Sequence, residues 1–211
     1  MARAWTGWSR WATTSTGRAR RSAVQDASSH PVLATARLVL RPFRIDDVDA
    51  IHGCYGDAEA MRFWDRPANA TRDETERAVR WAMEPAPAAL RVWAVADRAT
   101  DGCVGMVNYH NASERHRSAE IGYIIRPDRQ GQGVGREAVS ALIGHCIGTM
   151  GLHRLQALIH PENSASRRLV ERLGFRGEGV LREVQLVSGT WRDAVLYGLL
   201  APEWGAGASR T

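Results

Sequence analysis

The chain contains no lysine, so all 28 of its Lys and Arg positions are arginines. This absence excludes two kinds of site. A P-loop for nucleoside triphosphates needs a lysine after its last glycine, and Schiff-base catalysis by a side chain needs a lysine amine. Any phosphate site in this chain must therefore use backbone amides or arginine.

Cysteine and long apolar runs are also scarce. The three cysteines, Cys54, Cys103 and Cys146, are odd in number and widely spaced, and they form no Cys-x-x-Cys pattern. We interpret them as reduced core thiols of a cytoplasmic protein. No apolar run approaches the roughly 20 residues of a membrane span, and the seven histidines are scattered. We therefore expect neither a membrane segment nor a bound metal.

Residues 1–31 differ in composition from the rest of the chain. Met1 to His30 holds five arginines and one acid, Asp26, so this segment carries +4 of the formal charge of +5. We interpret it as a disordered basic extension without function. A transit peptide, a basic arm that binds nucleic acid, and a start codon upstream of the true one are the alternatives. The remaining body is near neutral, so we expect no nucleic-acid partner.

The rest of the sequence predicts one domain over residues 34–203 and a loose tail over 204–211. Apolar spacing predicts helices after Asp47, over 58–64, from Thr71, over 134–150 and after Asn163. Alternation predicts strands at 38–41, 90–96, 103–109, 119–125 and 155–159, with a final hairpin that turns at Ser188–Gly189. The strand–helix–strand order of residues 119–159 predicts a right-handed parallel crossover.

The stretch Arg126–Gly135 lies between a predicted strand and the clearest predicted helix. Its glycines Gly131, Gly133 and Gly135 alternate with other residues. Alternating glycines allow a tight turn with accessible amides, and a helix start adds unpaired N–H groups and the positive end of the dipole. We therefore predict a phosphate or pyrophosphate site here.

Three kinds of phosphate site, and a turn without a ligand, compete for this stretch. The missing lysine excludes a P-loop. A dinucleotide fingerprint needs G-x-G-x-x-G and an acid at the end of the next strand, but Gly135 comes one position too early and that strand ends at Ile159–His160. A coenzyme A pyrophosphate loop is the third kind. The run Gln130–Gly135 resembles the Q/R-x-x-G-x-G/A signature of the GNAT acyltransferase superfamily.

Four further segments extend this resemblance to residues 34–203, and specifically to the RimJ/RimL-type branch of the GNAT N-acetyltransferases. They are Thr35–Pro42, Ala119–Tyr123, Asn163–Ser166 with Leu173–Phe175, and Gly189–Asp193. The resemblance implies an α/β fold with a mixed, mostly antiparallel central sheet, a splayed parallel pair of strands and flanking helices. It also implies acetyl-CoA as co-substrate, with its pantetheine arm in the gap between the splayed strands.

The resemblance also implies a set of cofactor contacts. Backbone amides of the glycine loop would bind the pyrophosphate. Backbone groups at the end of the preceding strand would hold pantetheine, and one N–H there would polarise the thioester carbonyl. The predicted contacts are Ile124, Ile125, Arg126, Gln130, Gly131, Gln132, Gly133, Val134, Gly135 and Asn163.

Two residues are predicted to be catalytic. Glu120, on the same strand face as Gly122 and Ile124, is the predicted general base. Ser166 is the predicted donor to the departing thiolate. The structural alternatives are a solvated or salt-bridged strand carboxylate at Glu120, and a simple helix cap by Asn163 or Ser164. Many family members use a tyrosine as the acid, and the helix after Asn163 has none, which leaves the acid role open.

The predicted function is transfer of an acetyl group from acetyl-CoA to a primary amine by direct attack in a ternary complex. The amine would belong to a protein or peptide α-amino group or to a small molecule. Its pocket would lie around Phe63, Trp64, Trp81 and Trp191, although these aromatic residues also fit a core. A catalytically silent acyl-CoA-binding module on the same fold is the alternative, and the sequence leaves homodimerisation open.

Overall fold

The computed structural model describes residues 30–207, where eight strands form one sheet in the order β1-β2-β3-β4-β5-β6-β8-β7. The strands are β1 (Leu33–Ala34), β2 (Leu38–Arg41), β3 (Arg91–Asp97), β4 (Cys103–Ser113), β5 (Ser118–Ile125), β6 (Arg154–Ile159), β7 (Arg176–Val187) and β8 (Thr190–Leu200). Neighbours are antiparallel except β5 and β6, which are parallel. The predicted mixed sheet and the parallel crossover are confirmed.

Helices flank both faces of this sheet. Within residues 30–207 they are α1 (Val48–Tyr55), α2 (Arg72–Met83), α3 (Val134–Gly144), α4 (Ser164–Arg172) and α5 (Ala201–Gly207). The predicted helix over 134–150 is α3 followed by a π-helical turn, His145–Thr149. Local signals set two helix ends: Thr71 accepts a hydrogen bond from the Glu74 amide at the start of α2, and Gly174 has the left-handed φ of 93° just after α4.

Side chains alternate between two apolar cores, one on each face of the sheet. Helices α1 and α2 cover one face, and the residues buried there include Val48, Ile51, Val79, Met106 and Ile124. Helices α3 and α4 cover the other face, and the residues buried there include Val107, Ile121, Val139, Leu142 and Val170. Neighbouring residues of β5 therefore contact different cores.

Strands β5 and β6 pair over a short length and then separate. Ser118, Ala119 and Glu120 pair with Arg154, Leu155 and Gln156. Beyond them β5 continues beside β4, while β6 continues beside β8 as far as Ile159. The gap opens directly after Glu120 and leads to the glycine loop, in agreement with the predicted splay.

Two elements differ from the sequence predictions. Residues 58–64 form turns and no helix. The Met61 amide donates to a carbonyl four residues earlier, whereas the amides of Arg62 and Trp64 donate to carbonyls three residues earlier, so no run of α-helical bonds forms. The predicted loose tail from 204 is helical as far as Gly207, since α5 continues directly from β8. The predicted disorder of residues 1–31 concerns mostly residues 1–29, which lie outside the described part of the chain, as do residues 208–211.

A buried ion pair joins β2 to the start of α1. Arg41 and Asp47 are 5% and 4% exposed, and two hydrogen bonds of 2.8 and 2.9 Å link the guanidinium to the carboxylate. Arg41 also contacts Asp101 in the β3–β4 turn at 2.9 Å. The bond to Asp47 is the main cause that raises the pKa of Arg41 above its ordinary value. Arg41 therefore stays charged and ties three segments together.

Replacing Asp47 should therefore destabilise the fold. Asp47→Ala leaves the buried guanidinium with only the half-exposed Asp101 as a carboxylate partner, so we expect a loss of about 3 kcal/mol in the free energy of unfolding. Urea unfolding measures this. Asp46→Ala changes the adjacent exposed acid and should cost less than about 0.5 kcal/mol. Equal losses in the two variants would contradict the role given to the ion pair.

Candidate active site

The glycine loop follows β5 and leads into α3. Gly131 and Gly133 have left-handed φ values of 72° and 79°, which glycine adopts without strain. Gly133 is the residue before α3, and the Glu137 amide donates to the Gly133 carbonyl at 3.1 Å. The amides between them have no acceptor four residues earlier in the helix. The loop therefore has the geometry expected of a pyrophosphate site.

Side chains from outside the loop hold it in place. Arg37 donates to the Gln132 carbonyl at 3.0 Å and pairs with Glu137, in the first turn of α3, at 2.7 Å. Thr35 donates to the same Glu137 carboxylate at 2.6 Å, and these bonds hold the pKa of Glu137 below its ordinary value although burial opposes them. The Gln130 side chain donates to the Ile125 carbonyl at 2.9 Å. Sequence reasoning missed this support because Thr35 and Arg37 lie about 100 residues away.

The backbone at the end of β5 supports only part of the predicted pantetheine contact. The Arg126 amide donates to the Val104 carbonyl at 2.9 Å, so it belongs to the ladder with β4 and is not available to the gap. Amides of an antiparallel strand alternate in direction. The Ile124 amide is therefore also directed toward β4, whereas the amides of Tyr123 and Ile125 are directed toward the gap.

Glu120 lies where the gap opens. Its Oε1 is 3.1 Å from His110 Nε2 on β4, and its Oε2 accepts from Gln156 Nε2 on β6 at 3.3 Å. The Glu120 side chain is 14% exposed. It is thus a partly buried carboxylate held from both neighbouring strands, on the face covered by α1 and α2. Sequence reasoning placed Glu120 correctly on its face but did not identify His110 or Gln156.

Ser166 lies in the first turn of α4, on the other face of the sheet. Its backbone N–H donates to Asn163 Oδ1 at 3.0 Å, so Asn163 caps α4, as the structural alternative held. The Ser166 hydroxyl is 2.5 Å from the hydroxyl of Tyr123. Burial raises the pKa of Tyr123 to about 12. The structure thus brings a tyrosine to Ser166 from β5, although α4 itself contains none.

The predicted acceptor aromatics fall into two groups. Trp64 and Trp81 pack against the core under α1 and α2. Phe63 stacks on His160, after β6, with ring centroids 5.1 Å apart, and Trp191 is 56% exposed. Phe63 and Trp191 therefore lie outside both cores, whereas Trp81, which is partly buried, also lines a cavity beside Pro85 and Pro87.

The three thiols lie in the cores of the domain. Cys54, Cys103 and Cys146 are buried and unpaired, and burial raises the pKa of each thiol to about 12. Within residues 30–207, no three His, Cys, Asp or Glu side chains are grouped to hold a metal ion. No helix in that range is long and apolar enough to cross a membrane.

Comparisons with known proteins give the family. The sequence profile of the acetyltransferase (GNAT) domain matches residues 37–176. The uncharacterized N-acetyltransferase YoaA of Bacillus subtilis is 31% identical over 82% of this chain and 98% of its own length. The [ribosomal protein uS5]-alanine N-acetyltransferase of Escherichia coli is 36% identical over 49% of this chain and 54% of its own.

A solved structure agrees with the sequence relatives. The spermidine N-acetyltransferase of Vibrio cholerae, in complex with CoA and spermine, superposes with a TM-score of 0.69 and 26% identity, over 81% of this chain and 99% of its own. The chain therefore belongs to the GNAT family of acetyl-CoA-dependent N-acetyltransferases, with ribosomal-protein N-acetyltransferases of the RimJ/RimL type among its relatives.

Proposed function

We propose that this protein transfers an acetyl group directly from acetyl-CoA to a primary amine, with Glu120 as the general base. The position of Glu120 carries the proposal: it is the last residue of β5 that pairs with β6, so its carboxylate stands at the inner end of the gap. The glycine loop stands at the outer end. An acetyl-CoA bound by its pyrophosphate at the loop would extend along β5 and bring its thioester toward Glu120.

The proposed reaction needs two proton movements. The acceptor arrives as an ammonium, and one N–H bond breaks as Glu120 takes the proton. The neutral amine attacks the thioester carbonyl, whose oxygen is polarised by the amide of Tyr123 or Ile125 in the gap. The C–S bond then breaks, and the second proton leaves the nitrogen and ends on the departing thiolate, which gives the acetylated amine and free CoA thiol. Glu120 then releases its proton to solvent. A thiol of pKa about 8.5 leaves readily, so this step needs little acid assistance.

Ser166 is the proposed hydrogen-bond donor to the thiolate. Its hydroxyl can donate to sulfur while it accepts from Tyr123, because the two oxygens are 2.5 Å apart. The tyrosine thereby supports Ser166 and supplies the group that the sequence of α4 lacks. The proposed cofactor contacts are the glycine loop amides, the gap-facing backbone of β5 and the amide group of Asn163.

The proposed acceptor is an α-amino group of a protein or a small primary amine. Relatives named for a ribosomal-protein alanine and for spermidine support this class. Phe63 and Trp191 are the proposed groove residues. We also propose that the protein acts in the cytoplasm, since its thiols are free and buried, and that residues 34–203 form the catalytic domain.

Gly133→Ala should weaken coenzyme A binding about tenfold. A residue with a side chain pays roughly 1–2 kcal/mol at this φ, and the new methyl would lie 3.3 Å from Arg37, so the loop should leave its binding geometry. Titration calorimetry with CoA measures the effect. Gly144→Ala, at the end of α3 with open space around its Cβ, should leave the Kd unchanged. Equal affinities for both variants would contradict pyrophosphate binding at the loop.

Glu120→Gln should lower kcat/KM by roughly 10²–10⁴-fold, because the amide keeps the shape and cannot accept the proton. The Kd for acetyl-CoA should stay within about twofold. Turnover is measured by release of the free thiol, with peptides that begin with alanine and with spermidine as acceptors. Glu114→Gln, in the exposed β4–β5 turn, should behave as wild type. Wild-type protein that binds acetyl-CoA and acetylates no amine would favour the silent module instead.

Ser166→Ala should lower kcat about tenfold or more, because a hydrogen bond to a charged group contributes roughly 1.5–3 kcal/mol. Tyr123→Phe should lower kcat less, and the double variant should resemble Ser166→Ala, since Tyr123 acts through Ser166. Steady-state kinetics at saturating acetyl-CoA test both. The matched control is Ser164→Ala, an exposed serine of the same helix. Additive losses in the double variant would show that Tyr123 acts independently.

A further inference from the structure

A row of polar side chains crosses three strands beside the proposed base. In the β4–β5 ladder Asn108 stands opposite Gly122 and His110 stands opposite Glu120, and Gln156 stands beside Glu120 on β6. Cross-strand partners lie on the same face. His110 is thus the nearest titratable group across the ladder from Glu120, and Gln156 is its uncharged neighbour on the other side.

Two contacts within this row hold the His110 ring. The side-chain amide of Asn108 lies 3.4 Å from His110 Nδ1. A carboxylate can only accept, so the nitrogen that faces Glu120, Nε2, carries an N–H. That N–H faces Glu120 Oε1 at 3.1 Å. The imidazole therefore donates to one carboxylate oxygen and leaves Oε2, with its longer bond to Gln156, as the oxygen that can take a proton.

Asn108 has no evident packing reason to be polar. It is 1% exposed, and within the described residues its Oδ1 is buried without a hydrogen-bond partner. An unpaired buried acceptor costs roughly 1–3 kcal/mol. Gly122 makes room for this amide, because a Cβ there would lie 2.5 Å from Oδ1. The chain thus keeps a costly amide where an apolar residue would pack, and the contact that uses this amide is the one to His110.

We propose that His110 is a positioning residue for Glu120, and that Asn108 holds the ring from its other nitrogen. The inference rests on the proposed function, since it assigns His110 to the base named there. It fixes the carboxylate orientation and stabilises its negative charge, while the ammonium N–H bond breaks and an O–H bond forms at Oε2. His110 gains and loses no proton in this step.

The test compares three variants across pH. His110→Phe keeps the ring volume and removes the donor, so the carboxylate loses a bond that favours its charged form. The acidic limb of kcat/KM should move to higher pH by about one unit, so kcat/KM at a fixed pH on that limb should fall about tenfold. His110→Gln places an N–H₂ group near the Nε2 position, so it should bring the acidic limb most of the way back to its wild-type pH. The Kd for acetyl-CoA should stay within about twofold in both.

Asn108→Ala gives a second measurement that leaves the His110 side chain itself unchanged. Without the amide contact the ring is held only at Nε2, so the limb should shift in the same direction by a smaller amount. An unmoved limb in His110→Phe, or in Asn108→Ala if the first variant does not fold, would overturn the inference. If Glu120→Gln is inactive while these limbs stay in place, only His110 is wrongly assigned. If Glu120→Gln keeps full activity, the proposed base itself fails.

Discussion

Strand β6 has two neighbours, and the gap in the sheet depends on how it divides its length between them. It pairs with β8 over all six of its residues but with β5 over only three. Beyond the pair Glu120 and Gln156, β6 therefore follows β8 and separates from β5. The far half of β5 is left with backbone groups that point toward no strand, and unpaired backbone groups of this kind call for a partner. The glycine loop stands at the end of the same open stretch.

Strand β5 also separates the two proposed chemical roles. Because successive side chains point to opposite faces, Glu120 lies on the face of α1 and α2, whereas Tyr123 lies on the face of α4 and Ser166. A thioester held in the gap between these faces would have a proton acceptor on one side and a hydrogen-bond donor on the other. The proposed base and the tyrosine that supports the thiolate donor are therefore three positions apart on one strand.

The features that the sequence predicts well are those that neighbouring residues determine. The alternating glycines, the Thr71 cap, the glycine after α4 and the strand alternation all appear as expected. Residues 58–64 show the limit of this reasoning, because their apolar spacing resembles a helix while their backbone hydrogen bonds include those of turns.

The contacts that complete the site join residues far apart in sequence. Tyr123 and Ser166 are 43 positions apart, and Glu120 and Gln156 are 36 apart. His110 is nearer in sequence, but its contact with Glu120 depends on the register of the β4–β5 ladder. One residue of slip would move the histidine to the other face. Such contacts follow from the assembled sheet and have no local sequence signal.

The bond from Arg37 to the glycine loop has a consequence for the order of events during synthesis. Thr35 and Arg37 leave the ribosome about 100 residues before Glu137, the carboxylate to which both bind. The loop can therefore reach its final shape only after these two residues have come together with Glu137. Contacts between residues so far apart in sequence form slowly. A nascent chain would acquire its affinity for coenzyme A late, and cofactor already present in the cell would then stabilise only chains that have completed this closure.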